Sequence, residues 1–371
     1  MSPLQKKIIR FITLQGPIDI SQYMLMTLAD PEYGYYKTVE PFGGNGDFIT
    51  APEISQMFGE MIAIWAFFAW QGMGQPSPFL FCEIGPGRGT LMDDILRTVG
   101  KIAPKCLAAA RIILIETSER LAISQKKKLR LYDKKIEWIA DIDAIPNFPL
   151  ILIANELFDA LPIHQYMLTS HGILYERMIA FDKALNLCFA QSFANPHLPF
   201  VPILSKKFPD ETIIEISPER VALVESISTH IARKRGAALI IDYGALEPSF
   251  GDTLQAISQH TFCSPLENPG TCDLTSHVDF FALSHAARKK GCHTAELTQG
   301  DFLIKLGLFE RASRLSINKN EADRQKIAND VERLCAHNQM GNLFKVLCIA
   351  DTKTSMQPFS WVKAGLNQER N

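Results

Sequence analysis

From residue 79 onward, short apolar runs alternate with stretches whose apolar positions recur every three or four residues. The runs at 79–84, 111–115, 136–139, 150–154 and 237–241 are almost wholly apolar and do not alternate with polar residues. Strands buried on both faces read this way. Helical stretches near 91–99, 120–132 and 219–235 separate most of them. Strands joined by helices predict a parallel sheet covered on both sides.

Before the first strand, the pattern is mainly helical. Ile20, Tyr23, Met24 and Leu28 mark one apolar face, and a glycine-rich connector follows at 41–47. Thr50-Ala51-Pro52-Glu53 has the form of a capping box, in which the Thr50 hydroxyl accepts from a helix-start N–H and Glu53 reaches back. The broad face of Ile54, Met57, Phe58, Met61, Ile62, Trp65, Phe68 and Ala69 predicts a packed helix. Between 164 and 214 the rhythm changes to strand-like runs at 165–168, 173–181 and 185–191, which predict an antiparallel meander. A long loop is expected from 243 to 272, then a helix over 276–290 headed by Thr275. Final strands are expected at 293–297 and 343–350, with a polar helix at 320–336 between them. The expected organisation is a helical N-terminal cap at 1–77 and an α/β core at 78–371. That core carries insertions near 164–214 and 245–275.

At 371 residues, 47% hydrophobic and 21% charged, the chain can bury a large core. The net charge of -2 gives no electrostatic reason to expect nucleic acid. Lys126-Lys127-Lys128 and Arg233-Lys234-Arg235 sit on helical patterns and read as solvated faces. None of the eight cysteines forms Cys-x-x-Cys or pairs with a histidine at zinc-finger spacing, so buried thiols in a reducing compartment are expected, and no metal. The longest apolar run, 61–70, is too short to span a bilayer. With no signal peptide visible, the reading is a bacterial cytoplasmic protein without membrane insertion.

The most specific chemistry lies at Glu83-Ile84-Gly85-Pro86-Gly87-Arg88-Gly89-Thr90. A strand ending in an acid, three alternating glycines and a helix start make a turn without side-chain bulk, where a ligand can approach backbone N–H groups. A Walker phosphate loop needs Gly-Lys-Ser/Thr at its end, and there is no lysine. A dinucleotide fingerprint wants its third glycine where Thr90 stands. An acid followed by Gly-x-Gly-x-Gly is instead the opening of Rossmann-like methyltransferases that use S-adenosylmethionine (SAM).

Ligands in such sheets bind beyond the carboxyl ends of the strands, at the point where strand order reverses. Polar residues stand at each predicted end: Glu116 after the second strand, Asp141 and Ile142 after the third, Asn155-Glu156-Leu157-Phe158-Asp159 after the fourth, and Asp242-Tyr243-Gly244 after the fifth. Glu116 suits the ribose hydroxyls. Asp141 suits the adenine amine, and Ile142 suits the ring face. Glu116 and Asp141 have a plainer alternative as helix caps, Glu83 as the salt-bridge partner of Arg88, and Asp242-Tyr243-Gly244 as a turn. Acids at successive strand ends beside a glycine turn favour a nucleoside crevice.

These motifs resemble the MidA-like family of class I SAM-dependent methyltransferases, which includes the mitochondrial complex I assembly factor that methylates an arginine. The resemblance rests on 83–92 and on Asn-Glu-Leu-Phe-Asp-Ala-Leu-Pro at 155–162. Further blocks lie at 28–36, 46–55, 240–244 and 270–280, so it runs over nearly the whole chain. It implies a Rossmann-like sheet, SAM as cofactor, and SAM contacts at Glu83, Gly85, Gly87, Glu116, Asp141 and Asn155. It also implies a protein substrate, with arginine on a respiratory complex I subunit as acceptor. The mitochondrial members carry a leader that this chain is read as lacking, in keeping with a bacterial relative. Leu157 stands where the family often has Phe.

Guanidinium is protonated at physiological pH and its nitrogens are poor nucleophiles. Two carboxylates can hold the planar fork and orient one nitrogen. Glu156 and Asp159 are the expected pair, provided that a helix beginning at Leu157 turns both one way; a polar turn is the alternative. His260 and His277 are weaker candidates for a base. Tyr35, Tyr36 and Phe48 are candidates to cover the cofactor, with packing as their alternative. Competing readings are a small-molecule methyltransferase, a non-catalytic assembly partner of a respiratory complex, and a nicotinamide dehydrogenase, which Thr90 disfavours.

Overall fold

The computed structural model describes residues 1–38, 50–132, 136–194, 209–258 and 261–359. Phe48, His260 and the whole of the 41–47 connector lie outside them. The chain forms two compact units, Met1–Ile49 with Phe158–Ala222 and Glu247–Val278, and Thr50–Leu157 with Leu223–Leu246 and Asp279–Asn371.

The second unit holds the main sheet. Its longer strands are β1 (Phe79–Ile84), β2 (Ala110–Ile115), β3 (Ile136–Ile139), β4 (Leu150–Asn155), β5 (Gly236–Ala245), β6 (His293–Thr298) and β7 (Phe344–Ala350). They run in the order β6-β7-β5-β4-β1-β2-β3. The first five are mutually parallel, and β7 is antiparallel to both β5 and β6. This is the expected Rossmann-like α/β sheet. All residues of β1 and β4 are buried, which is why their sequences carry no alternation. The chain winds outward from β1 to β3 and then returns to β4, so strand order reverses between β1 and β4.

Helix α1 (Gln56–Gly72) packs Met57, Phe58, Met61, Ile62, Trp65 and Ala69 into one core with Phe79, Phe81, Ile151 and Ile153 of the sheet. Helices α2 (Thr90–Ile102) and α3 (Glu119–Lys128) follow β1 and β2. The stretch 1–77 is therefore shared between the units, with α1 grouped with the sheet. The capping box at Thr50 does not form. The Thr50 side chain makes no cap bond, and Glu53 accepts from the Thr90 hydroxyl at 2.7 Å instead. Ser55, in extended conformation, interrupts the helix and caps α1 through Met57 N–H.

The first unit joins segments distant in sequence. Helices Pro3–Gln15 and Ile20–Ala29 share a core with Ile163, Ile179, Leu254, Ala256 and Leu274. The meander is present: His164–Leu168, Leu174–Phe181 and Leu187–Phe193 pair antiparallel, with Thr212–Ile216 beside the first. Within the stretch expected as one long loop, Thr261–Cys263 pairs with Gln255–Ser258, and Asp273–Thr275 just beyond that stretch completes a three-stranded sheet. The helix expected at 276–290 is shorter, Phe280–Lys289, because Asp279 rather than Thr275 caps it by accepting from Ala282 N–H. Asp242-Tyr243-Gly244 is not a turn, since β5 continues to Ala245. Among the described residues no helix is long and apolar enough to cross a membrane.

Candidate cofactor site

The reversal point lies between the carboxyl ends of β1 and β4, where Gly85 and Asn155 stand. Gly85, Gly87 and Gly89 have φ of 66°, 50° and 79°, the left-handed region that L side chains adopt at a cost. At Gly85 the approach is also close: a Cβ there would lie 2.8 Å from Leu157 Cδ1. Gly89 occupies the N-cap of α2 and supplies no side-chain acceptor for the first helical N–H groups. Such a helix start can bind an anionic or polar ligand group.

Three groups surround this turn. Glu83 is 3% exposed, and its Oε2 has no hydrogen-bond partner among the described residues. Burial, and then the charge of Glu116, push its carboxyl up to about 8. Glu116 accepts from Ser118 N–H at 2.7 Å through Oε1 and from Gln125 Nε2 at 3.0 Å through Oε2. It follows β2 directly, its own N–H donating to Ile139 O. Asn155 is 9% exposed, and its Oδ1 likewise lacks a partner among the described residues.

Gln125 was not anticipated. It is fully buried on α3, and its Nε2 also donates to Gly87 O at 2.8 Å while its Oε1 accepts from Trp138 Nε1 at 2.9 Å. One side chain thus ties the glycine turn to Glu116 and to β3. The available signal was its position: Leu121 and Leu129 lie four residues to either side, so Gln125 occupies the apolar face of a helix.

The other expected residues fall into less uniform places. Asp141 is exposed and caps the short 3₁₀ turn Ile142–Ala144 by accepting from Asp143 N–H, with Ile142 half-buried beside it. The capping alternative is thus realised at Asp141. No helix begins at Leu157: Glu156 has φ 49° and the chain continues through turns. The structural premise for Glu156 and Asp159 facing one way is therefore absent, and the two residues fall in different compact units. Glu156 Oε1 accepts from Ala51 N–H at 2.9 Å and from Asn155 Nδ2 at 3.1 Å. Asp159 is buried, its Oδ1 accepting from Ala160 N–H at 2.9 Å, while its carbonyl accepts from Ser276 N–H and from Arg220. In the same unit Tyr36 donates to Asp273 Oδ1 at 3.2 Å, and burial, Asp273 and Asp159 together raise its hydroxyl well above the usual value. Tyr35 is buried in that unit's core, and His277 is exposed.

The donor set fits SAM. A nucleoside needs carboxylates for its hydroxyls, a bulk-free turn beside them and polar atoms not already satisfied. Glu116, the glycine turn, Glu83 Oε2 and Asn155 Oδ1 supply these. Fold and site together define a Rossmann-like SAM-dependent methyltransferase.

Comparison with known proteins agrees. Residues 61–298 match the family described as putative S-adenosyl-L-methionine-dependent methyltransferases. The chain is 34% identical to the mitochondrial protein arginine methyltransferase NDUFAF7 homolog of Drosophila melanogaster, over 93% of this chain and 84% of that one. It is 30% identical to human mitochondrial protein arginine methyltransferase NDUFAF7, over 94% and 83%. A Burkholderia thailandensis protein crystallised with S-adenosyl-homocysteine superposes with a TM-score of 0.84 at 26% identity, covering 95% of this chain and 93% of that one. The chain belongs to this family of SAM-dependent methyltransferases, as the resemblance of its motifs implied.

Proposed function

We propose that this methyltransferase modifies an arginine side chain of a protein, with a respiratory complex I subunit as acceptor, in the bacterial cytoplasm. The observation that carries this reading is the near full-length similarity to relatives named protein arginine methyltransferase. SAM supplies a methyl group on a sulfonium, an activated leaving group. The chain's own task is then to align the acceptor, since holding two reactants at attack distance supplies much of the acceleration.

In this reading Glu83, Gly85, Gly87, Glu116, Asp141, Ile142 and Asn155 hold the cofactor, and Gln125 fixes the turn against Glu116. Glu156 receives the guanidinium. The donors on Glu156 Oε1 from Ala51 N–H and Asn155 Nδ2 orient its carboxylate, a group that can accept from several donors at once. Charge on such an oxygen localises positive charge in the guanidinium and leaves one nitrogen better able to attack.

The test is incubation of the protein with methyl-labelled SAM and an extract of respiratory membranes, followed by mass-spectrometric mapping. Label on an arginine of a complex I subunit is expected. Label on a small metabolite would favour a small-molecule enzyme, and capture of a subunit without label would favour an assembly partner; either refutes the arginine reading.

A further inference from the structure

Two of the eight cysteines meet. Cys263, at the end of Thr261–Cys263, and Cys272, just before Asp273–Thr275, are nine residues apart in sequence with their Sγ atoms at 3.0 Å. Both strands pair with Gln255–Ser258, one on each side. Ala256 faces Cys263 on one side and Leu274 on the other.

The intervening segment is anchored. Tyr23 donates its hydroxyl to Pro265 O at 2.7 Å, and Glu267 and Thr271 close turns onto Ser264 and Asn268. Gly270, at φ 86°, lies so close to Tyr33 O that a Cβ would sit 2.5 Å away. Strand pairing thus fixes Cys263 opposite Ala256, and the fastened loop carries the chain on to Cys272. Their exposures differ: Cys272 is 8% exposed, whereas Cys263 is half-buried.

We propose that Cys263 and Cys272 form a peroxide-responsive dithiol, in which Cys263 takes up the oxidant and Cys272 resolves it as a disulfide. The Cys263 thiolate attacks one peroxide oxygen, the O–O bond breaks, and hydroxide leaves, giving a sulfenic acid. The Cys272 thiol then attacks that sulfur, the S–O bond breaks, and water leaves. Two thiols and one hydrogen peroxide give one disulfide and two waters, the sulfurs losing two electrons to the peroxide. The bridge ties the 264–271 loop shut next to Asp273, the partner of Tyr36.

Four of the remaining cysteines are poorly placed for this chemistry. Burial raises the thiol of Cys292 to about 11 and that of Cys106 to about 12, and raises Cys82 and Cys348 further, which suppresses the reactive thiolate. Cys188 is half-buried and serves as a control in the same unit.

The test exposes the intact protein to hydrogen peroxide, blocks remaining thiols with N-ethylmaleimide under denaturing conditions, and maps the digest. A peptide with Cys263 linked to Cys272 is expected, unalkylated at both, lighter by about 2 Da for the two hydrogens lost, and restored by dithiothreitol. The Cys188→Ser variant retains the bridge, and Cys272→Ser leaves Cys263 as a sulfenic acid trapped by dimedone. Alkylation of both sulfurs after treatment, advance of Cys263 to a sulfinic acid in the wild type, or failure to trap it in Cys272→Ser each overturns the proposal.

Discussion

The side-chain amide of Gln125 donates to the carbonyl of Gly87 at 2.8 Å, across 38 residues of sequence. The same nitrogen reaches Glu116, and the amide oxygen accepts from the Trp138 indole. The turn that accommodates the cofactor and the acid expected at its ribose thus share one buried brace. Replacing Gln125 with Leu leaves Gly87 O and Trp138 Nε1 without this partner. A buried polar group losing its partner costs about 1–3 kcal/mol. Urea unfolding is expected to show a loss of that size, and calorimetry a weaker SAM affinity. Unchanged affinity in the folded variant would remove Gln125 from the cofactor's support.

Glu83 gives the unfolding stability a pH dependence whose sign follows from its raised carboxyl. The folded state holds this proton up to about pH 8, whereas the unfolded chain releases it near the ordinary 4.5. Between those values the folded state binds more protons, so the Glu83 contribution to stability falls as pH rises. The Glu83→Gln variant lacks this titration. Relative to wild type it is expected to gain stability progressively from about pH 5 to pH 8 and to show no further relative gain above. A wild-type-minus-variant difference that is flat with pH would contradict the buried, charge-opposed state of Glu83.

Much of the sheet was legible in the chain. Runs of apolar residues mark a doubly covered strand without any knowledge of its partners, and β1, β3 and β4 begin where their patterns do. What local pattern could not carry was pairing between distant segments. Thr50 and Glu53 have the spacing of a capping box, yet Glu53 finds the Thr90 hydroxyl, which only the tertiary fold brings near. Residues 255–272 read as loop because their strands are only three or four residues long and pair across a break in the pattern. At the site, the glycines and strand-end acids were visible because their residue types are unusual for those places. The left-handed backbone of Glu156 was not, since nothing about a glutamate foretells a positive φ.

Glu156→Gln separates acceptor recognition from cofactor binding. The amide oxygen can still accept from Ala51 N–H, so the backbone arrangement survives while the negative charge is lost. A hydrogen bond to a charged group is worth about 1.5–3 kcal/mol, which corresponds to roughly a tenfold to hundredfold loss in methyl transfer. SAM affinity is expected to stay within about twofold, since the charge removed is assigned to the acceptor. Wild-type turnover of the variant would dismiss Glu156 from guanidinium recognition.

The central claim is that the left-handed glycine turn beyond β1 seats SAM, and titration calorimetry of the wild type and Gly87→Val tests it most directly. Gly87 has φ 50°, so a β-branched residue there is strained and is expected to lower stability by about 1–2 kcal/mol. That loss leaves a folded protein in which binding can be read separately, with circular dichroism as the check. The account predicts saturable SAM binding to the wild type and none to the folded variant. Equal affinities for the two, or no binding to either, would contradict it.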